Sequence, residues 1–266
     1  MSDLLSPGMA GVVVSLARPG TLIVLDFDGT LAPIVRDRDA AALGGRTRAA
    51  LERVARLFPV AVLSGRAAHD VRSRLDGVAL RWVVGSHGAE WPGEERAHRG
   101  WRTQVAGWSA TLAARLSGLR GVEIEAKPLS VAVHYRLSHD PRHAMARIAE
   151  VARELPGAAI VHGKKVVNLV PARAGDKGTA LRRLVEMAGA ARVLFVGDDV
   201  TDEAAFGAHL DVPSVMVRVG RSPASQARSW LRRRSDVDVL LERLVEARQA
   251  AGAGPRRRTT RAGTER

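Results

Sequence analysis

The sequence predicts an α/β fold: a parallel sheet with helices on both faces, interrupted by a small antiparallel insertion. Three observations carry this expectation. Short apolar runs alternate with segments of helical apolar spacing near both ends of the chain. Leu22 to Leu25, Val60 to Leu63, Trp82 to Val84 and Val193 to Val196 are apolar throughout rather than at every second residue, as strands buried on both faces are. The middle of the chain instead pairs strand-like runs across short turns.

Leu22-Ile23-Val24-Leu25 is the first such run and ends at Asp26-Phe27-Asp28-Gly29-Thr30. Thr47 to Phe58 places Leu51, Val54, Ala55 and Phe58 at helical spacing. Val60 to Leu63 reads as a strand ending at Ser64-Gly65-Arg66, and Ala67 to Leu75 as a helix. Trp82-Val83-Val84 leads into Gly85-Ser86-His87-Gly88-Ala89-Glu90. Towards the C-terminus, Asp176 to Ala188 reads as a helix, Val193 to Val196 as a strand and Thr201 to Leu210 as a helix. Val215 to Val219 and a helix over Asp236 to Ala250 complete the alternation. Between these halves lie a helix from Thr103 to Leu116 and a pair, Val122 to Ala126 and Val131 to Arg136. A helix from Pro141 to Leu155 and a second pair, Ala159 to Val161 and Val166 to Val170, follow. This αββαββ block predicts a lid (103–171) over a core made of 1–102 and 172–252.

With 266 residues, 46% of them apolar, the chain can bury a full core. No cysteine is present, which excludes disulfides and thiolate chemistry. The apolar stretch Met9 to Ala17 is short and interrupted, so neither a signal peptide nor a membrane span is expected, and a soluble, cytoplasmic, monomeric protein is. The net charge of +13 invites a nucleic-acid partner, yet only four of 41 basic residues are lysine. Much of the excess sits in Arg232-Arg233-Arg234 and in a tail, 253–266, with five arginines against one glutamate. That tail has no apolar periodicity and is expected to be disordered. Specific nucleic-acid binding is therefore not expected.

Ligands of open α/β sheets bind beyond the carboxyl ends of the strands. Asp26 and Asp28 sit at such an end, where paired carboxylates suit a hard cation and let one act as nucleophile while the other handles a proton. Ser64, Lys177 at a helix start, and Asp198 with Asp199 join them from other strand ends. Each alone also fits a turn or a helix cap. Together they supply nucleophile, hydroxyl donor, cation and metal-binding acid, the set that phosphoryl transfer through a carboxylate needs.

In these four motifs the chain resembles the haloacid dehalogenase-like phosphatases, with a Rossmann-like core, over roughly residues 20 to 245. The resemblance implies Asp26 as the nucleophile forming an aspartyl-phosphate and Asp28 as general acid, then base. It implies Ser64 and Lys177 on the phosphoryl oxygens. Mg²⁺ would be held by Asp26, Asp198 and the carbonyl of Asp28, with Asp199 and Asp202 in support. Lys177 is expected to lower the pKa of Asp26 and keep it ionised.

Within that superfamily the chain is most similar to the trehalose-6-phosphate phosphatase family. The likeness rests on Gly85 to Glu90, on Glu125-Ala126-Lys127-Pro128-Leu129-Ser130 with His134-Tyr135-Arg136, and on Gly197 to Glu203 with Phe206. Asp176-Lys177-Gly178 adds to it. It implies hydrolysis of trehalose 6-phosphate supplied by a separate trehalose-6-phosphate synthase-like glycosyltransferase. Expected substrate contacts are Arg66, His87, Glu90, Glu125, Lys127, His134 and Asn168. Glu125 and Lys127 are two apart, on one strand face, where an acceptor and a donor suit a ring rich in hydroxyls. One departure stands out. In Gly163-Lys164-Lys165-Val166-Val167-Asn168-Leu169-Val170-Pro171, Asn168 replaces an expected glutamate and Val170 a basic residue. A related phosphorylated disaccharide, such as an aminocyclitol pseudo-trehalose phosphate, is the alternative substrate. A basic binding protein without catalysis is the alternative from another class.

Overall fold

The computed structural model describes residues 1–35, 37, 40–94, 96, 98–163 and 165–252. Lys164 and the expected tail at 253–266 lie outside the described residues. Seven parallel strands form the main sheet: β1 (Ser2–Asp3), β2 (Thr21–Leu25), β3 (Val60–Leu63), β4 (Trp82–Val84), β9 (Arg192–Gly197), β10 (Ser214–Val219) and β11 (Ser229–Leu231). Their order is β1-β11-β10-β9-β2-β3-β4, with β2 near the middle and buried at all five residues. Side chains alternate across a strand. Leu22 and Val24 accordingly face one core, with Leu181 and Leu184 of α6 (Lys177–Ala188) and Phe206 of α7 (Glu203–Phe206). Ile23 and Leu25 face the other, with Leu51 and Val54 of α2 (Gly45–Leu57) and Leu241 and Leu244 of α8 (Ser235–Gly252). Short helices α1 (Ala10–Leu16) and α3 (Ala68–Arg74) complete that second layer.

Register decides where chemistry can converge. Leu25 pairs with Val62 on one side and Val196 on the other, and Leu63 with Val84. The carboxyl ends of β2, β3, β4 and β9 therefore finish level, and the residues that follow them meet above one edge of the sheet.

The inserted block folds as a second, antiparallel sheet in the order β5-β6-β8-β7. Its strands are β5 (Glu123–Ala126), β6 (Val131–His134), β7 (Ala158–Gly163) and β8 (Val166–Pro171). Helices α4 (Arg99–Leu116) and α5 (Pro141–Arg153) cover one face, burying Trp108, Leu112 and Ile148 against Val131, Val133, Val167 and Leu169. The period of two turns Glu125, Ala132, His134 and Asn168 to the opposite face, where Glu125 pairs with Ala132 and Ala132 with Asn168.

Two expectations need correction. The helix expected over Thr201 to Leu210 is a single 3₁₀ turn, Val200–Asp202, followed by the four-residue α7, which Gly207 caps. Asp202 ties the start of this segment to the end of β9 through the N–H groups of Asp198 and Asp199, and Gly207, a weak helix former, closes it against Gln226, whose Oε1 would lie 2.4 Å from a Cβ there. The strand expected to reach Arg136 stops at His134, where Tyr135 turns its N–H to the carbonyl of Lys165. β1, α1 and β11 carried no readable periodicity because two, seven and three residues span at most two turns. No described helix is long and apolar enough to cross a membrane.

Candidate active site

Asp26 leaves β2 with its N–H bonded to the carbonyl of Val196, so β9 itself fixes its position. The turn after it closes through Leu31 N–H to Phe27 O and Gly29 N–H to Ala32 O. Gly29 has φ +80, and a Cβ there would lie 2.2 Å from Asp198 Oδ2. Only glycine lets this turn lie against the acid that follows β9.

Lys177 enters from the first turn of α6, whose N-terminus is capped by Asp176 through the N–H of Thr179. Its Nζ donates to Asp26 Oδ1 at 2.7 Å and to Asp202 Oδ1 at 2.6 Å, and all three groups are buried. The second oxygen of Asp202 accepts the N–H groups of Asp198 and Asp199, each at 2.9 Å. Asp202 thus ties the lysine to the loop that carries Asp198.

Burial alone would push the Lys177 ammonium down, but Asp202 and Asp26 outweigh it and hold it well above the ordinary lysine range. The expectation for Asp26 is corrected here. Burial raises its carboxyl well above the usual carboxylate range; Lys177 pulls it down, and Asp202 and Asp198 push it back up. One ammonium does not offset desolvation plus two further carboxylates. Burial, then Asp202 and Asp199, likewise raises Asp198 to about 7, although Lys177 and Arg218 pull the other way.

Asp26, Asp198 and Asp202 each offer an oxygen within 4.8 Å of the others. Asp202 has both oxygens engaged, whereas Asp198 Oδ1 is buried without a hydrogen-bond partner. An orphaned carboxylate oxygen among three acids facing one ammonium is the donor set a hard divalent cation satisfies. Asp26 and Asp198 are the side chains able to hold one.

The other site residues fall into two groups. Ser64 is fully buried at the end of β3, with Oγ accepting the N–H of Arg66 at 3.1 Å. Asp28 turns away from Lys177: its two oxygens accept Arg66 Nε at 2.7 Å and Nη2 at 2.8 Å, while its side chain stays 41% exposed. Arg66 is thus bound to carboxylates on the same chain. Glu90 accepts the N–H of Ala68 at 2.8 Å and so caps α3.

His87 sits beside Ser86 with both residues at positive φ, 59 and 49, which swings the imidazole against Gly65, where a Cβ would lie 2.5 Å from Cε1. Burial, then Lys177 and Lys127, push His87 down to about 3 against a smaller opposing pull from Asn168, so the ring is neutral. Lys127 links the two sheets: its Nζ donates to Gly65 O at 3.3 Å and lies 3.6 Å from Glu125 Oε2. Glu125 also meets His134 Nε2 at 3.1 Å. Glu125, Lys127, His134 and Asn168 therefore share one face of the antiparallel sheet, which meets the Ser64–Gly65 turn. The pairing of Asp28 with Arg66 and the bracing of Asp199 O by Arg218 at 3.1 Å carried no sequence signal, since arginine is scattered along the whole chain.

The sequence model of a family described as Trehalose-phosphatase matches residues 24–236. A trehalose-phosphate phosphatase of Mycobacterium ulcerans is 36% identical over 207 residues, covering 73% of this chain and 52% of that protein. The chain spans about half the length of the curated relatives it matches first. Among solved structures, the C-terminal domain of a Candida albicans trehalose-6-phosphate phosphatase superposes with a TM-score of 0.73 at 20% identity, covering 92% of this chain and 98% of that one. A haloacid dehalogenase-like hydrolase from B. subtilis superposes with a TM-score of 0.54 at 16% identity, covering 84% and 98%. These likenesses establish the fold as haloacid dehalogenase-like.

Proposed function

Since this chain belongs to the trehalose-phosphatase family, we propose that it is a Mg²⁺-dependent phosphatase that hydrolyses trehalose 6-phosphate through an aspartyl-phosphate. The observation that carries this reading is the buried Asp26–Lys177–Asp202 cluster beside the orphaned oxygen of Asp198. A divalent cation held by Asp26, Asp198 and the carbonyl of Asp28 would neutralise charge on the phosphoryl group.

The remaining work falls to this chain's own groups. A bound cation would add to Lys177 a second positive charge beside Asp26 and favour its ionised form; Lys177 holds Oδ1, which leaves Oδ2 to attack phosphorus. An Asp26–phosphorus bond forms as the bond to the sugar oxygen breaks, and Asp28 gives that oxygen a proton. Water then attacks the phosphorus, loses its proton to Asp28 and frees phosphate and Asp26. Ser64 and Lys177 bind the phosphoryl oxygens in both steps. Residues 103–171 act as a cap over the core of 1–102 and 172–252, presenting Glu125, Lys127, His134 and Asn168 to the sugar. A separate glycosyltransferase supplies the substrate.

A substrate panel tests the assignment. The kcat/KM for trehalose 6-phosphate should exceed that for glucose 6-phosphate by about 10²-fold, the return on two or three sugar hydrogen bonds. Equal values would remove trehalose 6-phosphate as the substrate. Asn168 favours a second reading, because a buried amide stands where the family resemblance expects a glutamate, its Nδ2 donating to Val161 O at 3.4 Å. A related phosphorylated disaccharide leading the panel would support that reading.

Lys127→Ala removes one charged donor and should lower kcat/KM for the sugar phosphate by about 10–100-fold. Turnover of a phenyl phosphate, which has no sugar to bind, should fall less. Equal losses on both substrates would refute sugar recognition by this residue.

A further inference from the structure

Arg66 is 8% exposed, and its guanidinium is shared between two carboxylates. Nε and Nη2 form a fork on Asp28, while Nη1 donates to Asp70 Oδ2 at 2.9 Å. The other oxygen of Asp70 accepts Arg74 Nε at 2.8 Å, and Arg74 donates in turn to the carbonyl of Ala41. The backbone N–H of Arg66 is tied to Ser64, and its guanidinium lies over the Phe27 ring, 5.4 Å from the centroid. Asp28 is therefore the exposed end of a chain of alternating charges anchored in α3.

We infer that Arg66 is a positioning residue for Asp28, and that Asp70 positions Arg66. The inference rests on the proton-carrying role given to Asp28 above. A carboxylate on a short stem rotates about two torsions, and a two-point fork removes both, whereas a point charge would not. Placement on that scale matters: a shift of about 1 Å in a reacting group can cost on the order of 10²-fold. Arg66 gains and loses no proton. The proton that Asp28 gives to the sugar oxygen is replaced by one from the attacking water.

The experiment separates proton delivery from phosphate binding through the leaving group. A 4-nitrophenolate departs without being protonated, whereas a sugar alkoxide needs the proton. First-turnover release of both leaving groups is measured in the full chain with Mg²⁺ for wild type, Asp28→Asn, Arg66→Gln, Arg66→Lys and Asp70→Asn. Asp28→Asn should slow sugar release far more than nitrophenolate release. Arg66→Gln should copy that pattern, with sugar release down about 10²-fold and nitrophenolate release losing at least about 10-fold less. Arg66→Lys keeps the charge without the fork and should fail to rescue, and Asp70→Asn should show the same selectivity at about a tenfold loss.

If Asp28→Asn is selective but Arg66→Gln slows both releases alike and weakens inhibition by inorganic phosphate, Arg66 is a phosphate ligand and the positioning role is overturned. Full rescue by Arg66→Lys overturns the fork. An unselective Asp28→Asn removes the role of Asp28 and this inference with it. Circular dichroism confirms folding, and Asp70→Asn, outside the site, stands in should Arg66→Gln not fold.

Discussion

Asp26→Asn lowers kcat by on the order of 10⁴–10⁶-fold, the scale on which loss of a nucleophile is felt. It does so without unfolding the protein. Asparagine keeps an oxygen where Lys177 Nζ donates at 2.7 Å, and Lys177 retains Asp202. The folded chain holds the Asp26 proton more tightly than the unfolded chain, so ionising this residue opposes folding. Removing the charge should therefore leave Tm unchanged or raise it. Steady-state turnover, acid-quench trapping of phosphate on the protein and a thermal melt read the three parts. Turnover near the wild-type rate, or phosphate still trapped on the variant, would remove Asp26 as the nucleophile.

Lys177→Met should lose turnover too, but unlike Asp26→Asn it should also destabilise the metal-free protein, by about 3–5 kcal/mol, as removing one partner of a buried ion pair does. The loss follows from geometry: Asp26 and Asp202 are 4% and 0% exposed, and both lean on the one ammonium. Two carboxylates would be left buried without a cation. The lysine is held above its ordinary range, so its contribution is fully present at neutral pH and is lost only as pH rises through that raised value. Denaturant midpoints without added metal measure the effect. The double variant Lys177→Met/Asp202→Asn should regain part of the stability while turnover stays lost. A change below about 1 kcal/mol for Lys177→Met would show that the ion pair is not what holds this cluster together.

Much of this site is legible in the chain because its key groups are local to strand ends. A buried parallel strand announces itself by a continuous apolar run. The residue after it is therefore placed before any tertiary contact is considered, as for Asp26 after Leu25, Ser64 after Leu63 and Asp198 beyond Val196. The face shared by Glu125 and Lys127 follows from their two-residue spacing in the same way. Asp202 was legible only as an acid near Asp198, and its more demanding contact is the buried pair with Lys177, 25 residues away. Glu90 shows the converse: a motif position expected beside substrate has its carboxylate on the N-terminus of α3.

By itself the amino-acid sequence determined the layered fold, the inserted αββαββ block and which residue types stand at the strand ends. Each of those depends on periodicities of two and 3.6 and on neighbours a few positions apart. Only the tertiary structure decided the charge state and aim of those groups. Lys177 meets Asp26 across 151 residues and Arg66 meets Asp28 across 38. The rise of Asp26 sums burial with three charged neighbours brought in by other elements. Desolvation and ion pairing act through space, so the side chains that set them are neighbours only once the sheet has closed.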